Sequence, residues 1–498
     1  DIEITKDFNY LLILELDVDV IYINSTHIRA YASKYEQQII TSRGFEYQIK
    51  FSSFNEFMGF DKNPEKYKEF HDYYSLTTEL QQIANDYPMI TNLYDLGQSV
   101  QGRSIWGLKI TDNPDLEEIE PEVRICGAHH GDELMSVELP LNLAWHLVEN
   151  YSIMPEITDL INNMEIWIIP LVNPDGRQMN QRRNANYVDL NRDYGYMWDG
   201  SGGSSSPYSQ PETQVIRDHA LDNNFVVSLS YHTTAAYVNY VWNYKPDPTP
   251  DDDFIDSISD DYAAATGYTS VRGYNWYQTR GDTNDFSYGC KGDLDTTIET
   301  GNSNIQYTWN KNREPMIDYI ASAQLGLSGI VTDANTGEAL EAIIWVEEAN
   351  WPCFTDPVNG DYHKPLFEGS YTVHADANGY QRQTKTITIT DASALNQLDF
   401  NLTPSDHYYA FQVTECEYYD PYYYPNNFQN NPTEAISALG PPDGTPSSLG
   451  KGGMIVLDMG ENAIIADNLG NDFIVYESDD PDGYQLYASQ NWNGPWQS

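Results

Sequence analysis

Basic residues are what this chain of 498 residues has least of: 26 Lys and Arg stand against 75 Asp and Glu, a formal net charge of −49. Nucleic acid and anionic membrane are bound through basic patches, so both are excluded as partners. No run of about 18 apolar residues occurs, which excludes a transmembrane helix. Cysteine is scarce and widely spaced, at Cys126, Cys290, Cys353 and Cys416, with no C-x-x-C pair. That argues against a structural zinc knuckle and leaves room for one or two disulfides whose pairing the spacing does not assign. The chain starts at Asp1 without Met or a signal peptide, as expected after removal of a secretory leader. Acid is plentiful, as are tyrosine (39 residues) and Asn- and Gly-rich turns, a composition suited to an extracellular, β-rich protein. The acidity serves solubility, and acidic loops are candidates for Ca²⁺. Asn24-Ser-Thr, Asn150-Tyr-Ser and Asn401-Leu-Thr fit the N-glycosylation pattern.

The length suits about three domains. Residues 1–66 read as a small α+β unit, with strands Val18–Ile23, Arg29–Ala32 and Phe45–Ile49 and a helix Ser33–Ser42, before a polar linker Gly59–Glu69. Residues 70–324 change texture. A helix Ser75–Tyr87 stops at Pro88, and strands Leu93–Leu96 and Ser104–Ile110 pair across Gln101-Gly102. Near-continuous apolar strands at Val123–Ala128, Glu165–Leu171 and Phe225–Ser230 alternate with helices, and Pro315–Leu325 closes the unit. This is the pattern of an α/β domain whose mixed, mostly parallel sheet is buried between helices. Pro140 is expected to kink the helix Leu134–Tyr151. From Gly326 to about residue 405, short strands (Leu327–Val331, Ile343–Val346, Ser370–Ala375, Lys385–Ile389, Leu398–Leu402) between Gly, Asp and Asn turns read as an all-β sandwich. Residues 406–498 read as a second β-sandwich module, carrying Ala438–Gly444 and Gly470–Tyr476 and ending at Ser498 without a terminating element, as a clipped module would.

The chemistry concentrates around Val123–Glu133. An apolar strand breaks at Gly127 and Gly131 and passes into a helix, with His130 and Glu133 three apart at the break. An imidazole nitrogen and a carboxylate oxygen there can converge on one small cation. Zinc accepts both and keeps a position open for water when catalytic. A second His must come from elsewhere, and an isolated H-x-x-E is more often a surface turn. His232 ends the strand Ser228–His232, at the carboxyl edge where open α/β sheets hold ligands. Glu299 closes Asp293–Ile298 in the same way. The segment Gln181–Arg192 crowds Arg182, Arg183 and Arg192 into a chain poor in bases, and their planar donor forks suit a carboxylate. Asn173-Pro-Asp-Gly176 is a turn by composition.

Together these motifs make the span 70–324 resemble the zinc carboxypeptidases of the pancreatic A/B type, and more closely their secreted bacterial, carboxypeptidase T-like relatives. His130-Gly-Asp-Glu133 resembles the family's first zinc pair, and His232, before Thr-Thr, its third ligand; His129 is one residue too far from Glu133. Arg182, ten residues before Arg192, resembles the oxyanion-stabilising Arg. Asn191-Arg192 resembles the pair that grips the substrate's terminal carboxylate. Tyr277, ahead of Gly281–Tyr288, resembles the mobile capping Tyr, and Glu299, fourteen residues after Asp285, the general base. Asn284 falls at the pocket floor with Asp282 close by, which implies a mixed preference for apolar or polar and basic side chains. The departures are Ser136 for Gly, Asp132 where pancreatic members have Arg, and Asp193-Tyr194 for Asn-Phe or Asn-Tyr; none removes a ligand.

The resemblance implies a secreted carboxypeptidase with one catalytic Zn²⁺, acting on the C-termini of peptides or proteins. It also implies a propeptide-like role for residues 1–66. Residues 326–405 are similar to the transthyretin-like sandwich of the regulatory branch, with Asp356–Gly360 as its turn, and the last module suits carbohydrate or surface attachment. Two other functions compete: cell-wall peptide hydrolysis within the same family, and an extracellular structural or adhesive protein with a vestigial enzyme domain. The intact ligand set argues against the latter.

Overall fold

The computed structural model describes residues 2–3, 18–23, 27–32, 34–51, 70–301, 304–392, 395–405, 408–417, 438–440 and 454–459. At the N-terminus, β1 (Ile2–Glu3), β2 (Asp19–Ile23) and β3 (His27–Tyr31) form an antiparallel sheet in the order β1-β3-β2, followed by α1 (Lys34–Ser42). Phe45–Ile49 is therefore not the third strand. Both edges of β3 are already filled, and only Tyr47 bridges, to Ile2. The linker Gly59–Glu69 lies outside the described residues.

The α/β unit opens with α2 (Tyr73–Asp86). Asp72 caps it, accepting from Ser75 N while the Ser75 hydroxyl serves the Asp72 N–H. That reciprocal box satisfies two donors the first helical turn would leave orphaned. There follow β4 (Thr91–Gln98), β5 (Ser104–Ile110), β6 (Glu122–Gly127), α3 (Met135–Asn150), α4 (Pro155–Ile161), β7 (Glu165–Ile169), α5 (Pro174–Met179) and α6 (Pro211–Asp222). Next come β8 (Phe225–Thr233), β9 (Tyr237–Tyr240), α7 (Asp252–Thr266), β10 (Thr269–Arg272), α8 (Gly273–Trp276), α9 (Thr283–Phe286), β11 (Leu294–Thr300) and α10 (Ile305–Ala321). The eight strands lie in the order β10-β9-β11-β8-β6-β7-β5-β4. The central pairs β7/β6, β6/β8 and β8/β11 are parallel, whereas β4/β5, β5/β7 and β9/β11 are antiparallel. Every residue of β6, β7, β8 and β11 is buried, because helices cover both faces; hence their unbroken apolar runs.

Two prolines lie inside helices of this unit. Helix α10 starts ten residues before Pro315, where Asn304 caps it by accepting from Tyr307 N. Capping sets its start, and Pro315 is absorbed mid-helix. Pro140 likewise stays inside an uninterrupted α3. The Ser136 carbonyl, which a proline four residues on cannot satisfy, faces Gly127.

The sandwich consists of two sheets. One holds β12 (Gly326–Asp333), β15 (Asp361–Lys364), β18 (Leu395–Gln397) and β19 (Phe400–Leu402). The other runs in the order β14 (Trp351–Phe354), β13 (Ile343–Val346), β16 (Gly369–Asp376), β17 (Gln383–Ile389). The sequence reading missed β14 and β15, four residues each with no alternating pattern. A core of Leu327, Val331, Ile344, Val373, Phe400 and neighbours fills the space between the sheets. The sandwich is not tethered loosely. Its Ile343, Trp351 and Phe354 belong to the apolar cluster of the α/β unit, as do Phe411, Val413, Cys416 and Leu439 beyond it. Of the last segment, β20 (Gln412–Glu417) pairs antiparallel with β21 (Met454–Asp458), and Gly470–Tyr476 lies outside the described residues. All four cysteines are buried and none is joined in a disulfide, so the disulfides left open by the sequence are not formed.

Burial pushes Glu120 and Asp293 up to about 7 and Asp356 up to about 6. In the unfolded chain these groups ionise near pH ~4. As pH rises above that value the native state holds protons the unfolded chain has lost, so stability falls with rising pH through about 7. Calorimetry is expected to find the highest Tm near pH ~5, with a decline of several degrees by pH ~8; a Tm that climbs over that interval would contradict it.

Candidate active site

The loop that carries His130 is shaped by close backbone approach. A Cβ on Gly127 would lie 2.2 Å from Ser136 O and 2.7 Å from Pro170 O, and one on Gly131 only 2.0 Å from Gly176 C. Between them Ala128 takes φ 51°, a left-handed conformation uncommon for a residue with a side chain. This turns the chain out of β6 and over the carboxyl edge of the sheet. The Asn173 amide then fixes the turn, donating through Nδ2 to His129 O and Arg182 O, each at 3.1 Å. Gly131 N donates to Arg182 O at 3.2 Å.

His232 arrives on β8, and Glu299 stands directly opposite it in the parallel β8/β11 ladder. Adjacent strands lie about 4.8 Å apart, so the register alone brings these two side chains together. His130, Glu133 and His232 each offer a ligand atom within 4.8 Å of the others, and all three are buried. His130 Nδ1 is 2.6 Å from Glu133 Oε1, His232 Nδ1 is 3.0 Å from Glu133 Oε2, and the two ring nitrogens are 3.1 Å apart. Two imidazole nitrogens and a carboxylate aimed at one point form a donor set that fits zinc with a position to spare.

Behind these donors lies Asp189. Its Oδ1 is 3.1 Å from His130 Nε2, and its Oδ2 accepts from Arg182 Nε at 3.0 Å and pairs with Nη2 at 2.8 Å. Arg182 Nη1 in turn reaches to 2.9 Å from His130 Nδ1 and 3.7 Å from Glu133 Oε1. Burial and Arg182 disfavour a charge on His130, but Glu133 and Asp189 outweigh them and lift it to about 10. Burial also opposes ionisation of Glu133, yet the two imidazoles hold it far below the usual carboxylate range.

His130, His232 and Glu299 line a cleft together with Asn191, Arg192, Tyr277, Asp282 and Asn284. Asn191 Oδ1 accepts from Thr283 N at 3.0 Å, and Arg192 Nη1 donates to Asn191 O at 2.6 Å. Asp282 lines the cleft beside Asn284 and also caps α9, accepting from Asp285 N, Asn243 Nδ2 and Thr279 Oγ1 at 3.0, 2.9 and 2.6 Å. Arg183, counted with Arg182 and Arg192 as an anion site, turns away to Tyr187 O, Gly202 O and Glu36 of the N-terminal unit. Asn284 Oδ1 accepts from Thr297 Oγ1 at 2.7 Å, which leaves its buried Nδ2 without a partner.

Asp189 was not singled out from sequence, and Asn173, His129 and Tyr194 entered there only as a turn residue, a ligand candidate one residue too far from Glu133, and part of a departure from the family pattern. His129 stacks on His232 with centroids 5.7 Å apart, and its Nε2 lies 2.8 Å from Tyr194 OH. A signal existed for Asp189: an imidazole that gives one nitrogen to a metal needs a partner for the other. As for acidic loops, Glu117, Glu122 and Glu165 do gather, but Lys109 Nζ sits among them, 2.5 Å from Glu165 and 3.1 Å from Glu117. An ammonium already answers that charge.

The family model described as zinc carboxypeptidase matches residues 76–315. The catalytic chain of mouse carboxypeptidase N is 30% identical over 395 residues, covering 67% of this chain and 86% of that protein. The chain belongs to the zinc carboxypeptidase family. Human carboxypeptidase D is 32% identical over 381 residues, and the match covers 68% of this chain but 27% of that much longer protein. Among solved structures, carboxypeptidase A from Helicoverpa armigera shares the fold at a TM-score of 0.53 and 19% identity, over 64% of this chain and 94% of its own. The matches to carboxypeptidase D and N span 381 and 395 residues, longer than the α/β unit alone.

Asp189→Asn is expected to weaken zinc binding by ~10–100-fold in a chelator competition. Gly131→Ala drives a methyl into the backbone of Gly176 and Arg177, so it should lower stability by about 1–3 kcal/mol and lose zinc with it.

Proposed function

We propose that this chain is a secreted, zinc-dependent carboxypeptidase that removes C-terminal residues from peptides or proteins. One observation carries the reading: three buried donor side chains from distant parts of the chain meet within 4.8 Å, and Glu299, Asn191 and Arg192 share the cleft they open on. His130, Glu133 and His232 are the ligands in this reading. Zinc held there would polarise the scissile carbonyl and make a bound water acidic near pH ~7. Glu299 accepts the proton of the attacking water and returns it to the leaving amine. Arg182, oriented by Asp189, donates to the developing oxyanion; loss of such a donor typically costs ~10²–10³ in rate. Asn191 and Arg192 grip the terminal carboxylate, which is why an internal bond offers no handle, and Tyr277 covers the bound residue.

The pocket beyond the clamp is polar, with the Asp282 carboxylate in its lining. Asn284 presents an unpartnered Nδ2, and the oxygens of Asp282 are occupied by Asn243, Asp285 and Thr279. This supports a mixed preference for apolar or polar and basic side chains. The N-terminal unit bears on the same cleft, since Tyr277 packs against its cluster of Ile2, Val18, Val20, Ile28 and Ile40. In this reading residues 1–66 act as a propeptide-like cover.

Elemental analysis is expected to find about one zinc per chain. A peptide with a free C-terminus should be cut and its C-terminally blocked counterpart left intact. Glu299→Gln should retain the metal and lower kcat by ~10²–10⁴-fold. Equal cleavage of blocked and free peptides, or no zinc, would refute the reading. Among peptides ending in Phe, Lys and Glu, fastest turnover of the Glu peptide would refute the proposed preference.

A further inference from the structure

We propose that the C-terminal sandwich forms the outer half of the specificity wall, with Trp351 and Lys364 acting as positioning residues for Asn284 and Asn243. This rests on the carboxypeptidase reading of the cleft. Asn284 lies on α9, which runs on into a wide helical turn, Ser287–Lys291. Tyr288 in that turn is fully buried, and the sandwich holds it from two sides. The Trp351 indole stacks on its ring, centroids 4.9 Å apart and planes 9° from parallel, and donates through Nε1 to Tyr288 O at 3.2 Å. The Tyr288 hydroxyl donates at 3.0 Å to Asp251 Oδ2, the oxygen that also takes Lys364 Nζ at 2.5 Å. Lys364 and Asp251 are both nearly inaccessible to solvent.

A second cleft-lining amide, that of Asn243, is held against the same surface. Trp351 packs edge-on against Trp242 at 5.8 Å, and Trp242 precedes Asn243 in the chain. Asn243 N and Tyr244 N both donate to the Asp285 carboxylate, at 2.9 and 3.1 Å. The front of the wall thus consists of Asn243 and Asn284, and its back rests on two side chains of the sandwich. The three candidate zinc ligands take no part in these contacts. Displacing the back should therefore shift which C-terminal residue fits without emptying the metal site, since misplacement by about 1 Å costs ~10²-fold in a well-fitted site.

The test uses the full chain with Trp351→Leu, Lys364→Met and the conservative Trp351→Phe. Zinc content and kcat/KM are measured on two peptides that differ only in a C-terminal Phe or Lys. Calorimetric binding of free l-phenylalanine and l-lysine supplies a readout that needs no turnover. The expected result is zinc retained, a Phe-to-Lys ratio shifted by about tenfold or more in both disruptive variants, and most of the shift recovered in Trp351→Phe. Variants that melt earlier while both ratios stay within about twofold of the unsubstituted chain would reduce the sandwich to an anchor and overturn the proposal. If the unsubstituted chain cut neither peptide, the carboxypeptidase reading would fall, and the binding ratio would still decide for or against the wall.

Discussion

One buried carboxylate holds the site together. Taking an ion of this kind out of water costs several kcal/mol unless partners replace the solvent. Asp189 has them: His130 Nε2 and the Asn191 N–H on one oxygen, and two Arg182 nitrogens on the other. Its charge thereby fixes the ring of a candidate ligand, the guanidinium beside it and the backbone that carries Asn191 and Arg192. Groups that must act together share one support, so none can drift alone.

The charge balance of the chain looks different from inside. Arg124, Arg177, Arg217, Lys109 and Lys364 are almost wholly buried, and Arg192 and Lys291 nearly so. The chain has 26 basic residues in all against 75 acidic ones, and the interior takes in more carboxylates than bases, so the surface keeps an acidic excess. Such a surface keeps molecules apart by long-range repulsion, an effect that weakens as salt screens it.

How far the sequence could be read depended on whether a property is local. The apolar runs of β6, β7 and β8 fix their own burial, and His130 and Glu133 lie close enough in sequence for spacing to bring them together. Glu299 and His232 could be placed at strand ends, but their direct opposition is a matter of register, which appears only once β8 and β11 pair. The role of Asp189 needed the second ring nitrogen of His130 to be accounted for. Arg183 was grouped with Arg182 and Arg192 because a charge in a sequence has no visible partner, and here it had one. The start of α10 was misplaced because the reading began the helix at Pro315 and did not consider a cap at Asn304, and β14 and β15 are too short to show a period.

The burial of the four cysteines has a consequence for handling the molecule. Each is sealed from solvent, and burial pushes the Cys126 and Cys353 groups up to about 12, so neither forms a thiolate at neutral pH. They lie in the central strand β6, the turn behind the cleft, the sandwich and β20. An alkylating reagent thus has nothing to react with until a part of the chain opens, and the order in which the four sites become labelled traces the order in which those parts come apart.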